Sequence, residues 1–167
     1  EAFEREFAGF IGCPDAVAVS SCSAALELSA ILSGLESGNE VIIPAHTFCA
    51  TAVPFGRTGA TIRWADIDPD TRLISAASIR SLITERTRAV VIVHLYGLPA
   101  DMDGIMALAR DHGLRVIEDC AQAHGAMYKG TPVGTIGDVG VFSLNVNKSI
   151  QTGEGGVCIT SSDDLRY

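Results

Sequence analysis

The chain has 167 residues, 47% of them apolar and 19% charged, a balance that suits one domain with a substantial core and excludes a disordered or low-complexity segment. A formal net charge of −8 excludes a Lys/Arg surface for nucleic acid or an anionic membrane, so any phosphate must be held locally. Five cysteines (Cys13, Cys22, Cys49, Cys120, Cys158) are odd in number and lack Cys-x-x-Cys spacing, which argues against a disulfide framework or a zinc site and for a reducing, cytoplasmic setting.

Taken in order, Phe3, Phe7, Phe10 and Ile11 recur at helical spacing and predict an amphipathic helix that stops near Gly12 and Pro14. Residues 16–20 read as a short buried strand. Ser21-Cys22-Ser23 then opens a helix with Ala25, Leu28, Ile31, Leu32 and Leu35 on one face, closed by Gly34 and Gly38. Residues 40–44 give a second strand, followed by a small-residue helical stretch from Thr47 that Pro54 interrupts. A third strand over 61–67 is broken by Asp68-Pro69-Asp70.

Ile79, Leu82 and Ile83 mark another helix. The near-continuous apolar run 89–95 predicts a strand covered by helices on both faces. Asp101 or Asp103 caps a helix carrying Ile105, Met106, Leu108 and Ala109, which ends at Gly113. Strands follow at 114–119, 139–144 and 156–160. Helices between most of the first five strands predict a parallel α/β sheet; the last two are joined by a loop too short for a helical crossover, so the seventh strand is expected antiparallel.

In such sheets ligands bind beyond the carboxyl ends of the strands. Ser21, His46, His94, Asp119, Ser143 and Lys148 all fall at or just past those ends. Lys148 is oddly placed for a lysine, in a polar stretch of little charge between two apolar runs, where it suits a covalent-catalysis amine. For Asp119 the plainer reading is a cap or an ion pair, and the functional one an anion that keeps a heterocyclic nitrogen protonated. Ser21-Cys22-Ser23 could merely cap, yet a helix N-terminus also holds a phosphate dianion without any basic residue, and Ser143 could add a hydroxyl. Phe48 suits either the core or a stacking platform.

The histidines at 46, 94 and 124 share no metal-ligand spacing, so no metal is expected. Neither a Gly-x-Gly-x-x-Gly turn nor a Gly-Lys-Ser/Thr loop is present, which sets aside dinucleotide binding and nucleotide hydrolysis. An amine, a ring-holding aspartate, a phosphate-binding helix end and an aromatic together describe a pyridoxal 5'-phosphate site.

The stretches 3–8, 18–26 (Ala-Val-Ser-Ser-Cys-Ser-Ala-Ala-Leu), 44–51 (Pro-Ala-His-Thr-Phe-Cys-Ala-Thr), 66–71, 94–103, 118–125 (Glu-Asp-Cys-Ala-Gln-Ala-His-Gly) and 138–160 resemble the DegT/DnrJ/EryC1/StrS sugar aminotransferases, a family of fold-type I pyridoxal phosphate enzymes. The resemblance runs over essentially the whole chain. It implies a three-layer α/β large domain with a mostly parallel seven-stranded sheet, of which residues 1–167 form most. A smaller C-terminal domain and a partner subunit of a homodimer complete the site in that family. The opening Glu-Ala-Phe-Glu-Arg-Glu and the closing Asp163 to Tyr167 read as the ends of a fragment.

Residue by residue, the resemblance implies that Lys148 forms the Schiff base with the cofactor, Asp119 pairs with the pyridine nitrogen, Phe48 stacks on the ring and Gln122 contacts the ring-hydroxyl region. Cys22, Ser23 and Ser143 hold the phosphate. The implied reaction moves an amino group from glutamate or glutamine, through pyridoxamine 5'-phosphate, to a keto-sugar (nucleotide-linked) or a keto-cyclitol. The related pyridoxamine phosphate dehydratases carry histidine in place of the lysine, so Lys148 argues against that branch; a non-catalytic α/β binding module is the rival of another class. Asn147-Lys148-Ser149 and Gly153-Glu154-Gly155-Gly156 differ from the family's commoner Thr-Lys-Asn and Gly-Asp-Gly-Gly, and the glutamate form is similar to members acting on cyclitol ketones.

Overall fold

The computed structural model describes residues 1–160 with Ser162 and Leu165; the final residues Asp163, Asp164, Arg166 and Tyr167, on which the reading of a fragment end rests, lie outside the described residues. α1 (Ala2–Ile11) buries Phe7 and Ile11 and ends where Gly12 takes a φ of 82°, a left-handed turn that favours a residue without Cβ. β1 (Ala16–Val19) leads into α2 (Cys22–Leu32), whose N-cap Ser21 accepts a hydrogen bond from Ala24 N at 3.1 Å.

The chain continues through β2 (Glu40–Pro44), α3 (Val53–Arg57), β3 (Thr61–Ala65), α4 (Ala76–Arg80), β4 (Thr87–Val93), α5 (Met102–His112) and β5 (Arg115–Asp119). A short pair, β6 (Met127–Tyr128) and β7 (Thr131–Pro132), precedes β8 (Val139–Ser143) and β9 (Gly156–Thr160). Seven strands form one sheet in the order β1-β9-β8-β5-β4-β2-β3. The pairs β2–β3, β2–β4, β4–β5 and β5–β8 are parallel, while β9 runs antiparallel to both β8 and β1. This is the mostly parallel seven-stranded sheet with a reversed last strand that the spacing predicts. The connection from β8 to β9 doubles back as a hairpin, with Leu144 N donating to Gly155 O at 2.9 Å and Val146 N to Gly153 O at 2.8 Å.

Side chains alternate across the sheet, so each strand feeds two cores. Ile42, Val90, Ile92 and Val116 pack against Ile79 of α4 and Met102, Ile105 and Leu108 of α5. Val41, Ile43, Val91, Ile117 and Val141 pack against Ala25, Leu26 and Ala30 of α2 and Phe55 of α3. Phe7 and Ile11 of α1 cover Phe142, Val157 and Ile159. The result is three layers, helix on sheet on helix.

Three local expectations change. β1 is not a buried strand but the sheet's edge, with Val17 and Ala18 exposed. Pro54 does not interrupt a helix; a 3₁₀ turn (Cys49–Thr51) comes first and Pro54 lies in the first turn of α3, where a missing N–H removes no intrahelical bond. Asp101 occupies the N-cap position of α5 without capping it: its Oδ1 accepts from the Tyr128 hydroxyl at 2.6 Å, and Asp103 pairs with Lys129. Both aspartates thus tie α5 to the β6–β7 turn, a pair whose two-residue strands carry no periodic signal.

Candidate functional site

The strand ends and the reversed β9 bring one cleft of about 400 Å³ to the carboxyl edge of the sheet. Cys22, Ser23, Phe48, Asp119, Gln122, Ser143 and Lys148 all line it. Of the other strand-end groups, Ser21 and His94 also line the cleft, whereas His46 does not; its ring meets Tyr96 edge-on, with centroids 6.2 Å apart.

Asp119 ends β5 on the cleft floor and is 4% exposed. Its Oδ2 accepts from Thr51 Oγ1 at 2.8 Å and its Oδ1 from Ala121 N at 3.1 Å. Thr51 is itself 2.7 Å from Thr47 Oγ1. Burial pushes the Asp119 carboxyl above its usual range, against the lowering effect of those two bonds and of the Lys148 charge. A buried carboxylate whose direct partners are neutral donors is a place for a cation.

One residue earlier, Glu118 faces the opposite side of the sheet. Its oxygens accept from Gly134 N (2.8 Å), Ile136 N (2.8 Å) and Gly137 N (2.6 Å), and His94 Nε2 lies 2.9 Å away. Ala100 N donates to His94 Nδ1 at 3.1 Å, so Nε2 carries the proton and the ring is neutral. Ligand atoms of His94, Glu118 and Cys120 lie within 4.8 Å of one another, but both imidazole nitrogens and both carboxylate oxygens are engaged. The group locks the ends of β4 and β5 together and so fixes Asp119. The loop over 134–137 reaches Glu118 because Gly140 leaves room: a Cβ there would lie 2.7 Å from Gly134 Cα.

Opposite Asp119 is the N-terminus of α2. Ser21 spends its hydroxyl on Ala24 N, so the capping reading holds for that residue. The amides of Cys22 and Ser23, the first of the helix, have no intrahelical acceptor, and the helix dipole concentrates positive potential there. Burial holds the Cys22 thiol far above its ordinary range, with the nearby Asp119 charge adding to the effect, so it meets the cleft as a neutral thiol. Ser143, at the end of β8, is buried beside them.

The chain has two lysines. Lys129 is engaged with Asp103 of α5 and does not line the cleft, which leaves Lys148 as the cleft's amine. Its loop is shaped by Asn145, whose main-chain oxygen accepts from Lys148 N at 2.9 Å and whose side-chain oxygen accepts from Asn147 N at 3.2 Å. Asn145 Nδ2 in turn donates to Glu154 Oε1 at 2.9 Å. Phe48, 72% exposed, stands at the cleft and not in the core. Gln122 Oε1 accepts from Tyr96 N at 2.8 Å, an anchor that leaves its NH₂ group to donate into the cleft.

Thr47, Thr51, Asn145, Asn147 and Glu154 also line the cleft; sequence reasoning gave the threonines no role and noted Asn147 and Glu154 only as departures from the family's commoner pattern. The signal for the threonines was their four-residue spacing, one helical turn, within a stretch read only as small residues. For Glu118 it was a charged residue inside a buried strand.

The family model described as the DegT/DnrJ/EryC1/StrS aminotransferase family matches residues 1–167. The L-glutamine:2-deoxy-scyllo-inosose aminotransferase of Streptomyces fradiae is 45% identical over 163 residues, covering 98% of this chain and 38% of that protein. The structure of an aminotransferase from Psychrobacter cryohalolentis superposes with a TM-score of 0.95 at 43% identity, over 98% of this chain and 42% of that one. Spr1654 from Streptococcus pneumoniae, solved in PLP-form and PMP-form, gives a TM-score of 0.92 at 29% identity, over 99% of this chain and 46% of its own. The chain therefore spans about two fifths of the length of the relatives it matches.

Proposed function

The chain belongs to the DegT/DnrJ/EryC1/StrS aminotransferase family, whose cofactor is pyridoxal phosphate, and from that premise we propose that it is most of the large cofactor-binding domain of an aminotransferase that moves an amino group from glutamate or glutamine to a keto-sugar, nucleotide-linked, or a keto-cyclitol. The observation that carries the reading is the meeting of Lys148, Asp119 and the α2 N-terminus in one cleft. The two kinds of ketone come from relatives named as an inosose aminotransferase, a GDP-perosamine synthase and a UDP-sugar 3-aminotransferase. In the full-length protein a smaller C-terminal domain follows and a second copy closes the site. Among the described residues no helix is long and apolar enough to cross a membrane; we assign the protein to the cytoplasm on its free cysteines.

The residues present fit the cofactor. A buried carboxylate with neutral direct partners suits a protonated ring nitrogen, and two first-turn helix amides without an intrahelical acceptor, beside a serine hydroxyl, suit a phosphate. When bound, pyridoxal phosphate supplies an aldehyde that carries the amino group and a ring that takes up electrons. Asp119 holds the proton on the ring nitrogen. Gln122, anchored through its carbonyl on Tyr96 N, offers its NH₂ to the ring oxygen. Phe48 covers the ring face and excludes water. Cys22, Ser23 and Ser143 hold the phosphate. Lys148 Nζ would hold the cofactor's aldehyde and would accept and return a proton as general base and acid.

The test is borohydride reduction of the full-length holoprotein followed by peptide mapping. The cofactor is expected on Lys148, and a Lys148→Ala variant is expected to lose amino transfer. Label on Lys129, or a Lys148→Ala protein that still transaminates, would sink the assignment. Candidate ketones, assayed against glutamine and glutamate, resolve the substrate.

A further inference from the structure

Within the glycine-rich stretch 153–156 the glycines do different jobs. Gly153 has open space around it and a φ of 86°, so it serves a turn. Gly156 has no left-handed φ; as the first residue of β9 it occupies backbone that any residue could adopt, and that usually favours a branched side chain. Space is what excludes one. Gly156 is in register with Val19 at the end of β1 and with Ser143 at the end of β8, directly against the peptide that starts α2. A Cβ would press on the Ser21 carbonyl carbon, 2.5 Å from Ser21 O and 2.6 Å from Cys22 N. All three are backbone atoms with no rotamer by which to move aside.

On the strength of the cofactor reading above, we infer that Gly156 is the positioning residue of the phosphate subsite. Its missing side chain lets the α2 N-terminus settle onto the sheet, so that the Cys22 and Ser23 amides stand level with the Ser143 hydroxyl. The strand it opens runs back through Gly155, whose carbonyl accepts from Leu144 N at 2.9 Å, into the loop that carries Lys148. The phosphate subsite and the lysine loop are thereby one mechanical unit, joined at 155–156. A side chain at 156 would lift the helix end and leave the ring side of the cleft, at Asp119 and Thr51, in place.

The experiment measures dissociation constants of full-length wild type and Gly156→Ala for pyridoxal phosphate, for pyridoxal, which lacks the phosphate, and for inorganic phosphate as a competitor. Wild type is expected to prefer pyridoxal phosphate to pyridoxal. In Gly156→Ala that preference is expected to fall by at least about tenfold, with competition by inorganic phosphate weakened in parallel and pyridoxal affinity within about threefold of wild type. Equal loss of both ligands, the mark of a general packing defect, overturns the inference, as does an unchanged preference. A wild type without the preference overturns the cofactor reading, and this inference with it. Should the variant not fold, glycine-labelled wild type read by NMR decides: inorganic phosphate is expected to shift the Gly156 amide, and an unmoved Gly156 signal overturns the inference.

Discussion

Asp119 owes its chemistry to burial more than to its neighbours. With Thr51 and Ala121 as its direct partners, it is held in place without being neutralised by an adjacent cation. Asp119→Asn keeps the shape and removes the charge, so amino transfer by the full-length enzyme is expected to drop about 10²–10³-fold while the fold persists, the scale seen when one preorganised electrostatic group is lost. The same burial makes a stability statement for the cofactor-free protein. The folded carboxyl is raised above its unfolded value, so from about pH 3.9 upward the folded chain holds a proton that the unfolded chain has released. Stability from this group is present below that pH and lost as pH rises through the folded value. Denaturant unfolding of wild type and Asp119→Asn across about pH 4 to 8 reads it: the wild-type advantage is expected to shrink as pH rises, and an advantage that grows would refute the account.

At the scale of elements, the loop between β8 and β9 decides where the amine stands. Asn145 holds it at three points: Glu154, Asn147 and Lys148. The side-chain bonds are exposed, so Asn145→Ala is expected to change stability by under about 1 kcal/mol. A loosened amine, however, is expected to lower kcat about tenfold or more, because a small misplacement of a reacting group is costly; steady-state kinetics beside thermal unfolding separate the two, and a loss of stability without loss of kcat would contradict this role. Much of this region was legible in the sequence: the alternation of apolar runs and helices gave the sheet, and the short 144–155 connection gave the reversal of β9. The position of β1 was not, since its partner β9 comes from the other end of the described chain and no local pattern encodes that pairing. Nor were the jobs of Asp101 and Asp103, because the competing partners, Tyr128 and Lys129, lie on a turn without periodicity. Thr51 and Glu118 were missed for the same physical reason: their roles depend on what burial brings next to them.

For the whole molecule, the site's rigidity follows from a sheet covered on both faces. Site groups from β5, β8, the β8–β9 loop and α2 keep their spacing only if neither layer of helices slides. Val91 and Ile92 test this, as chain neighbours on β4 that are both fully buried but face different cores, Val91 toward α2 and α3, Ile92 toward α4 and α5. In a sheet with one wet face, one of the two would be nearly free to change. Here Ile92→Ala is expected to cost about 2–5 kcal/mol and Val91→Ala about 2 kcal/mol or more, each leaving a cavity its own layer cannot fill. Because the two side chains belong to separate buried clusters on opposite faces of the sheet, the double variant is expected to equal the sum within about 0.5 kcal/mol. Denaturant unfolding of the four proteins measures this, and a negligible cost for either single change would mean that one face of the sheet is not sealed. Both single variants are also expected to weaken cofactor binding less than Asp119→Asn lowers turnover, since each helix layer supports the strand ends while the charge at position 119 acts on the ring itself.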